Sequence, residues 1–185
     1  MKDIKVIIIH GNGWSTPEDH WIPSVKAALE KSGITVLAPQ FPDMPIGRQR
    51  YWLPFLKDTL KADEHTVLIG HSTGAIAAMR FAEKNQILGT VLVAAYESDL
   101  GIESEKMSGY FGRPWNWDAI KNNQRFIIQF ASTDDPFIPI EEARAVHKNL
   151  LTEYCEHSES GHFGGDYNKT TFPELVHTLM KKLRN

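Results

Sequence analysis

Cysteine is nearly absent from this sequence. Cys155 is the one thiol in 185 residues, so no intrachain disulfide can form and no paired-cysteine zinc site can be built. Placed in a predicted strand, Cys155 reads as a small hydrophobe. A His-Glu-x-x-His stretch is missing too, which removes a common zinc-hydrolase pattern. No apolar run approaches the roughly 20 residues needed to span a bilayer. The apolar stretch Ile4 to Ile9 is too short for the core of a secretory signal, and no small-residue cleavage site follows it. An excess of one charge is also lacking. Lys and Arg number 20 against 23 Asp and Glu, a net charge of −3. The two signs are mixed, with no basic stripe to neutralise phosphates. There are no repeats and no low-complexity segments. The expectation is a cytoplasmic protein with no nucleic-acid or membrane partner and no metal or organic cofactor.

What is present is the makings of a core. Hydrophobic residues are 42% of the chain, and the length suits one domain over residues 1–185. Short apolar, β-branched runs alternate with longer amphipathic stretches. Strands are predicted at Ile4–Ile9, Ile34–Ala38, His65–Gly70, Leu88–Ala94 and Arg125–Phe130, with a weaker one at Glu153–His157. Helices are predicted at Trp21–Lys31, Gln49–Lys61, Gly74–Glu83, Ile140–Leu150 and Phe172–Leu183. Within Gln49–Lys61, Pro54 either kinks the helix or marks its true start. Continuous apolar strands separated by helices imply an α/β fold: a mostly parallel sheet of about six strands, covered on both faces. Such sheets place their sites at the carboxyl ends of the strands. The segment Asp99 to Asp118 breaks the alternation. It is too long for an ordinary connection and carries Tyr110, Phe111, Trp115 and Trp117. It reads equally as a wall over a pocket or as a surface excursion whose aromatics pack on the nearest helix.

One stretch carries reactive chemistry. In Val67-Leu68-Ile69-Gly70-His71-Ser72-Thr73-Gly74-Ala75 an apolar strand runs into Gly-x-Ser-x-Gly and a small-residue helix follows. A strained turn there lifts the serine hydroxyl above the sheet, and the flanking glycines keep neighbouring backbone from clashing. The helix start points free N–H groups and the positive end of its dipole at developing negative charge. The bland alternative is a tight turn with a capping serine.

A serine needs a base, and the base needs an acid. In this architecture the chain order is serine, acid, histidine. His10, His20, His65 and His71 precede or adjoin Ser72, His147 and His177 fall in amphipathic helices, and His157 ends the weak strand. His162 lies in the loop Ser160-Gly161-His162-Phe163-Gly164-Gly165 beyond that strand, where a base can reach over the sheet. Acid candidates are Asp99, after the fourth strand, and Asp134 and Asp135, after the fifth. Asp135 is the choice, with Asp134 its nearest rival. The unused one would cap a loop. The oxyanion needs two N–H donors. One is expected from Thr73. The other is expected from His10-Gly11-Asn12-Gly13-Trp14, with Asn12 first and Gly13 next. That glycine-rich loop lacks the lysine of a phosphate-binding loop and the spacing of a dinucleotide fingerprint.

These residues resemble the α/β-hydrolase superfamily, and within it the retinoblastoma-binding protein 9 family of small serine hydrolases, related to a YdeN-like group. The resemblance spans nearly the whole chain. It is strongest in Ile69 to Arg80, in Ser108-Gly109-Tyr110-Phe111 with Arg113-Pro114-Trp115, in Ser132-Thr133-Asp134-Asp135-Pro136-Phe137, and in Gly161-His162-Phe163. It implies a compact fold with no large cap domain and a triad of Ser72, Asp135 and His162. The superfamily's habit of placing proline four residues after the acid, here Pro139, is what favours Asp135 over Asp134. It also implies hydrolysis of small esters or amides, as by a carboxylesterase or an aminopeptidase-like enzyme. One departure matters. The animal family member carries a Leu-x-Cys-x-Glu motif thought to engage retinoblastoma-type pocket proteins. Here the stretch is Leu60-Lys61-Ala62-Asp63-Glu64, so that partner is not expected.

The expected reaction is two-step acyl transfer through Ser72, with activity falling on acidification as His162 protonates. Trp14, Tyr110, Phe111, Trp115, Phe137 and Phe163 are the candidates for an apolar substrate pocket. Two other readings share the fold: a partner-binding protein with little or no catalysis, and a thioesterase or acyltransferase using the same triad.

Overall fold

A computed structural model describes residues 4–164 and 169–184. Gly165, the last residue of the predicted histidine loop, lies outside the described residues. Six strands form one sheet in the order β2-β1-β3-β4-β5-β6. They are β1 (Lys5–Ile9), β2 (Thr35–Leu37), β3 (Thr66–His71), β4 (Gly89–Val93), β5 (Phe126–Ser132) and β6 (Glu153–His157). Every neighbouring pair is parallel. Parallel strands need crossovers, and helices on both faces supply them. In sequence order the helices are α1 (Ile22–Lys31), α2 (Gln49–Pro54), α3 (Thr73–Ala82), α4 (Glu103–Ser108), α5 (Trp117–Asn122), α6 (Ile140–Leu150) and α7 (Pro173–Arg184).

Alternation along the strands divides the core in two. Val6, Ile8, Val67, Ile69, Val91 and Val93 face Val25 and Leu29 of α1 and Leu175 and Leu179 of α7. Ile7, Ile9, Leu68 and Leu92 face α2, α3, α5 and α6. All residues of β3 and β4 are buried, which is why their runs are continuously apolar. β6, at the sheet edge, is only partly buried, and its signal is correspondingly weak. Among the described residues no helix is long and apolar enough to cross a membrane.

Two predicted segments turn out differently. The helix expected over Gln49–Lys61 is α-helical only to Pro54, and Phe55–Thr59 continues as a π-helical turn. Pro54 has no N–H to donate, so the ladder is interrupted and re-forms with wider spacing, Leu60 N–H donating to Phe55 O at 2.9 Å. The segment Asp99–Asp118 contains α4 and the start of α5. Each has six residues, too short to show a helical period in sequence. Gly109, at φ 80°, ends α4, and the Asn116 side chain caps α5 by accepting from Ala119 N–H at 3.1 Å.

The topology explains where a site can form. The chain steps from β1 outward to β2, then returns to the other side of β1 as β3. Loops leaving β1 and β3 therefore diverge and open a crevice at the carboxyl ends. Register sets the neighbours: Ile9 pairs with Gly70, His71 with Val93, and Ser132 with His157. The loop after β1 thus lies beside the β3 turn, and the loops after β5 and β6 lie side by side.

Candidate active site

Ser72 occupies the turn between β3 and α3 at φ 54° and ψ −123°, a conformation costly for a residue with a Cβ. Its own N–H donates to Val93 O at 2.9 Å, which ties the turn to β4. The flanking glycines are required by space. A Cβ on Gly70 would stand 2.3 Å from Gly74 O, and one on Gly74 would stand 2.3 Å from Ile9 O. Thr73 opens α3, so its N–H is among the first-turn amides that no helical carbonyl takes up.

His162 Nδ1 lies 2.8 Å from Asp135 Oδ2. A carboxylate only accepts, so Nδ1 carries the proton and Nε2 is left with its lone pair. The Asp135 side chain is 3% exposed. Its Oδ1 accepts from Phe137 N–H at 2.9 Å and Ile138 N–H at 3.0 Å, so its orientation is settled by backbone. Asp134 does different work. Its Oδ1 accepts from Ser160 N–H at 3.2 Å and Gly161 N–H at 3.0 Å and from the Ser132 hydroxyl. It caps the loop that carries His162. Asp99 caps its own turn, accepting from Gly101 N–H at 2.9 Å.

Two buried histidines brace the surroundings. His71 Nε2 lies 2.8 Å from the carbonyl oxygen of His162. Burial, reinforced by the neighbouring His162, lowers its pKa to about 3, so the ring is neutral and Nε2–H is the donor. His10 is likewise shifted down by burial. Its Nδ1–H donates to Gly11 O at 2.6 Å and its Nε2 accepts from Phe41 N–H at 2.9 Å. This shapes the loop after β1, and a Cβ built on Gly11 would come 3.5 Å from the Ser72 Cβ. Within that loop Gly13 N–H is engaged with Pro45 O at 3.3 Å.

Ser72 and His162 line one cavity of about 370 Å³. Asn12, Gly11, Gly13 and Ser15 from the β1 loop, and Phe137 and Ile138 from the β5 loop, also line it. Its remaining walls include His20, His71, Tyr96, Leu100, Ile102 and Glu105. Of the six expected pocket aromatics only Phe137 is among them, its ring 5.1 Å from that of His162. The others are corrections. Trp14 is 69% exposed and lies outside the cavity. Tyr110 is fully buried in the core. Phe163 stacks on Phe172 at 5.4 Å in the other core layer. Phe111 and Trp115 border a separate hollow with Glu97 and Arg113. They are held there by Arg80 of α3, which donates to the carbonyls of Tyr110 at 2.8 Å and Arg113 at 2.8 Å and lies 3.6 Å over the Trp115 ring. The two readings of Asp99–Asp118 thus divide the segment: Leu100 to Glu105 walls the cavity, and Tyr110 to Trp115 packs on α3.

Tyr96, Glu105 and His71 escaped the sequence reading. Tyr96 had a signal, since it follows β4 at its carboxyl end. Glu105 had none, because Glu103-Ser104-Glu105-Lys106 reads as a solvated charge run, yet Glu105 is only 5% exposed. A larger groove of about 630 Å³ runs between α1 and α7, but among the described residues no carboxylate lines it to orient His177. Among the described residues no three His, Cys, Asp or Glu side chains are grouped to hold a metal ion.

Known proteins resemble this chain in sequence and in fold. A family model described as serine hydrolase matches residues 6–181. The serine hydrolase RBBP9 of Rattus norvegicus is 45% identical over 181 residues, which covers 97% of this chain and 95% of that protein. A hydrolase of Bacillus subtilis, YdeN, is 26% identical over 184 residues, covering 95% of this chain and 94% of its own. The crystal structure of the B. subtilis ydeN product superposes with a TM-score of 0.86 at 24% identity, covering 98% of this chain and 100% of that one. Est1E of Butyrivibrio proteoclasticus, solved with ferulic acid bound, shares the fold at a TM-score of 0.78 and 15% identity, covering 98% of this chain and 90% of that one.

Proposed function

Because the chain belongs to the serine hydrolase family, we propose that it hydrolyses small esters or amides through an acyl-enzyme on Ser72. Ser72 Oγ attacks the substrate carbonyl carbon while His162 Nε2 takes its proton. Asp135 Oδ2 holds the Nδ1–H side of the ring and stabilises the imidazolium. The amides of Thr73 and Asn12 receive the negative oxygen. Collapse of the tetrahedral adduct expels the alcohol or amine, which takes the proton from His162. Water then attacks the acyl group with His162 again as base, and Ser72 is released.

The observation that carries this reading is the 2.8 Å bond from His162 Nδ1 to Asp135 Oδ2 beside a serine held at φ 54°. The cavity volume suits a small acyl or leaving group. Among the described residues no Lys or Arg lines it, and Glu105 is the one carboxylate wall residue, so neutral or cationic substrates are favoured over anionic ones. A fluorophosphonate is expected to label the protein once, at Ser72, and Ser72→Ala to abolish both labelling and turnover of p-nitrophenyl acetate. Persistent turnover in that variant would sink the assignment. In the wild type a monosuccinyl p-nitrophenyl ester is expected to react more slowly than the acetate, and the reverse order would refute the charge preference.

A further inference from the structure

We infer that Glu105 acts as a brace setting the spacing of the two oxyanion donors, which makes it a positioning residue for the reaction at Ser72. The inference rests on the Ser72 reading above. The Glu105 carboxylate touches both residues whose amides face the developing oxygen. Oε1 accepts from Asn12 Nδ2 at 2.7 Å and lies 3.5 Å from Thr73 Oγ1. Oε2 accepts from the Tyr96 hydroxyl at 2.8 Å. The Tyr96 oxygen is in turn 3.2 Å from Thr73 Oγ1. One side chain on α4 therefore joins the loop after β1 to the first turn of α3.

The tie has a physical purpose. Thr73 is fixed by its helix, but Asn12 sits on a half-buried loop next to Gly11 and Gly13. Oxyanion donors work only when held in advance at the position of the developing charge, and a displacement of about 1 Å costs on the order of a hundredfold in rate. A carboxylate suits the role because it accepts several donors at once and does so strongly. A buried carboxylate is costly unless its oxygens are engaged. Among the described residues no Lys or Arg is paired with Glu105, and the engagement comes from Asn12, Tyr96 and Thr73. Glutamine in its place keeps one acceptor oxygen at nearly constant volume, so the bonds accepted from Asn12 and Tyr96 cannot both stand and the one that remains is no longer charge-assisted.

The test compares Glu105→Gln, Asn12→Ala and the double variant, each first shown by fluorophosphonate to label at Ser72. The readouts are kcat and KM for p-nitrophenyl acetate and the affinity of a boronic acid that forms a tetrahedral adduct on the serine. Asn12→Ala keeps the backbone amide and removes the tie, together with the long bond from Asn12 Nδ2 to Ile46 O at 3.5 Å. Each single variant is expected to lower kcat about ten- to a hundredfold, with boronate affinity falling by a similar factor. KM is expected to stay within about threefold, and the double variant to be no more than about threefold worse than the poorer single one, because both changes break one connection. Fully multiplicative losses, an effect on KM alone, unchanged turnover, or a loss confined to substrates bearing an ammonium group would each overturn the proposal. Should Glu105→Gln fail to fold, Asn12→Ala decides by itself: unchanged kcat and boronate affinity would refute the brace. Residual turnover in Ser72→Ala is a separate result, which strikes the nucleophile and not the brace.

Discussion

At residue scale, two adjacent aspartates divide two tasks, and the division follows from which donors reach them. Asp135 holds an imidazole and two backbone amides of its own loop. Asp134 holds backbone amides of the neighbouring loop. Replacing them separately should therefore give different failures. Asp135→Asn keeps the shape but favours the wrong histidine tautomer, so kcat is expected to drop by about ten-thousand-fold with little change in urea midpoint. Asp134→Asn weakens bonds to Ser160 and Gly161, and its expected effect is lower stability, by about 1–3 kcal/mol, with a smaller loss of rate. Steady-state kinetics beside urea titration checks both, and a reversed pattern would exchange the two roles. The sequence reading chose Asp135 with Asp134 its nearest rival, and it needed the family resemblance to separate them because both residues sit in one loop after the same strand. Only the register of Ser132 with His157 decides which carboxylate meets which partner.

At the scale of elements, α3 does more than present Ser72 at its N-terminus. Its opposite end secures the segment that follows α4. Arg80 is 1% exposed and its guanidinium bonds Glu83 Oε1 at 2.6 Å and three carbonyls of residues 110, 113 and 114. Glu83 also receives Asn116 N–H at 3.0 Å. An arginine inside an otherwise apolar helix gives no sequence sign of which groups it meets. Its partners lie some thirty residues away. Removing the guanidinium leaves the carbonyls of residues 110, 113 and 114 unmet and buried Glu83 held by Arg113 and the Asn116 N–H without its buried cation. Arg80→Met is thus expected to cost about 3–5 kcal/mol in urea unfolding, although methionine is the better hydrophobe. A loss below about 1 kcal/mol would show the cluster to be weak, as exposed pairs are.

At the scale of the whole molecule, the buried histidines link stability to pH. The fold holds His71 neutral down to about 3, against an ordinary value of 6.5. Between those limits the unfolded chain binds the proton and the native state does not, so stability rises with pH. The contribution is complete above about 6.5 and is lost as pH falls towards 3. One such group changes stability by at most about 1.4 kcal/mol per pH unit. His10 is shifted the same way and adds to the slope. His71→Gln, which keeps a donor for the His162 carbonyl, is expected to flatten the fall in urea midpoint between pH 6.5 and 4. An unchanged slope would show that His71 is not the titrating group.

The sequence by itself determined the alternation of strands and helices, the glycine-flanked serine turn and the order serine, acid, histidine. These are local: they depend on apolar continuity, on turn chemistry and on the space a missing Cβ leaves, all of which are written in neighbouring residues. Five of the six pocket aromatics were misplaced for the opposite reason. An aromatic is equally at home in a core or a cavity wall, and only the packing of α3 and the second core layer decides between them. The tertiary structure alone decided the cavity walls, which loop amides Asp134 and Asp135 each hold, and the burial of Glu105. A glutamate in a polar run becomes a buried acceptor only because α4 is laid against the ends of β1 and β3, where donors from distant parts of the chain converge on it.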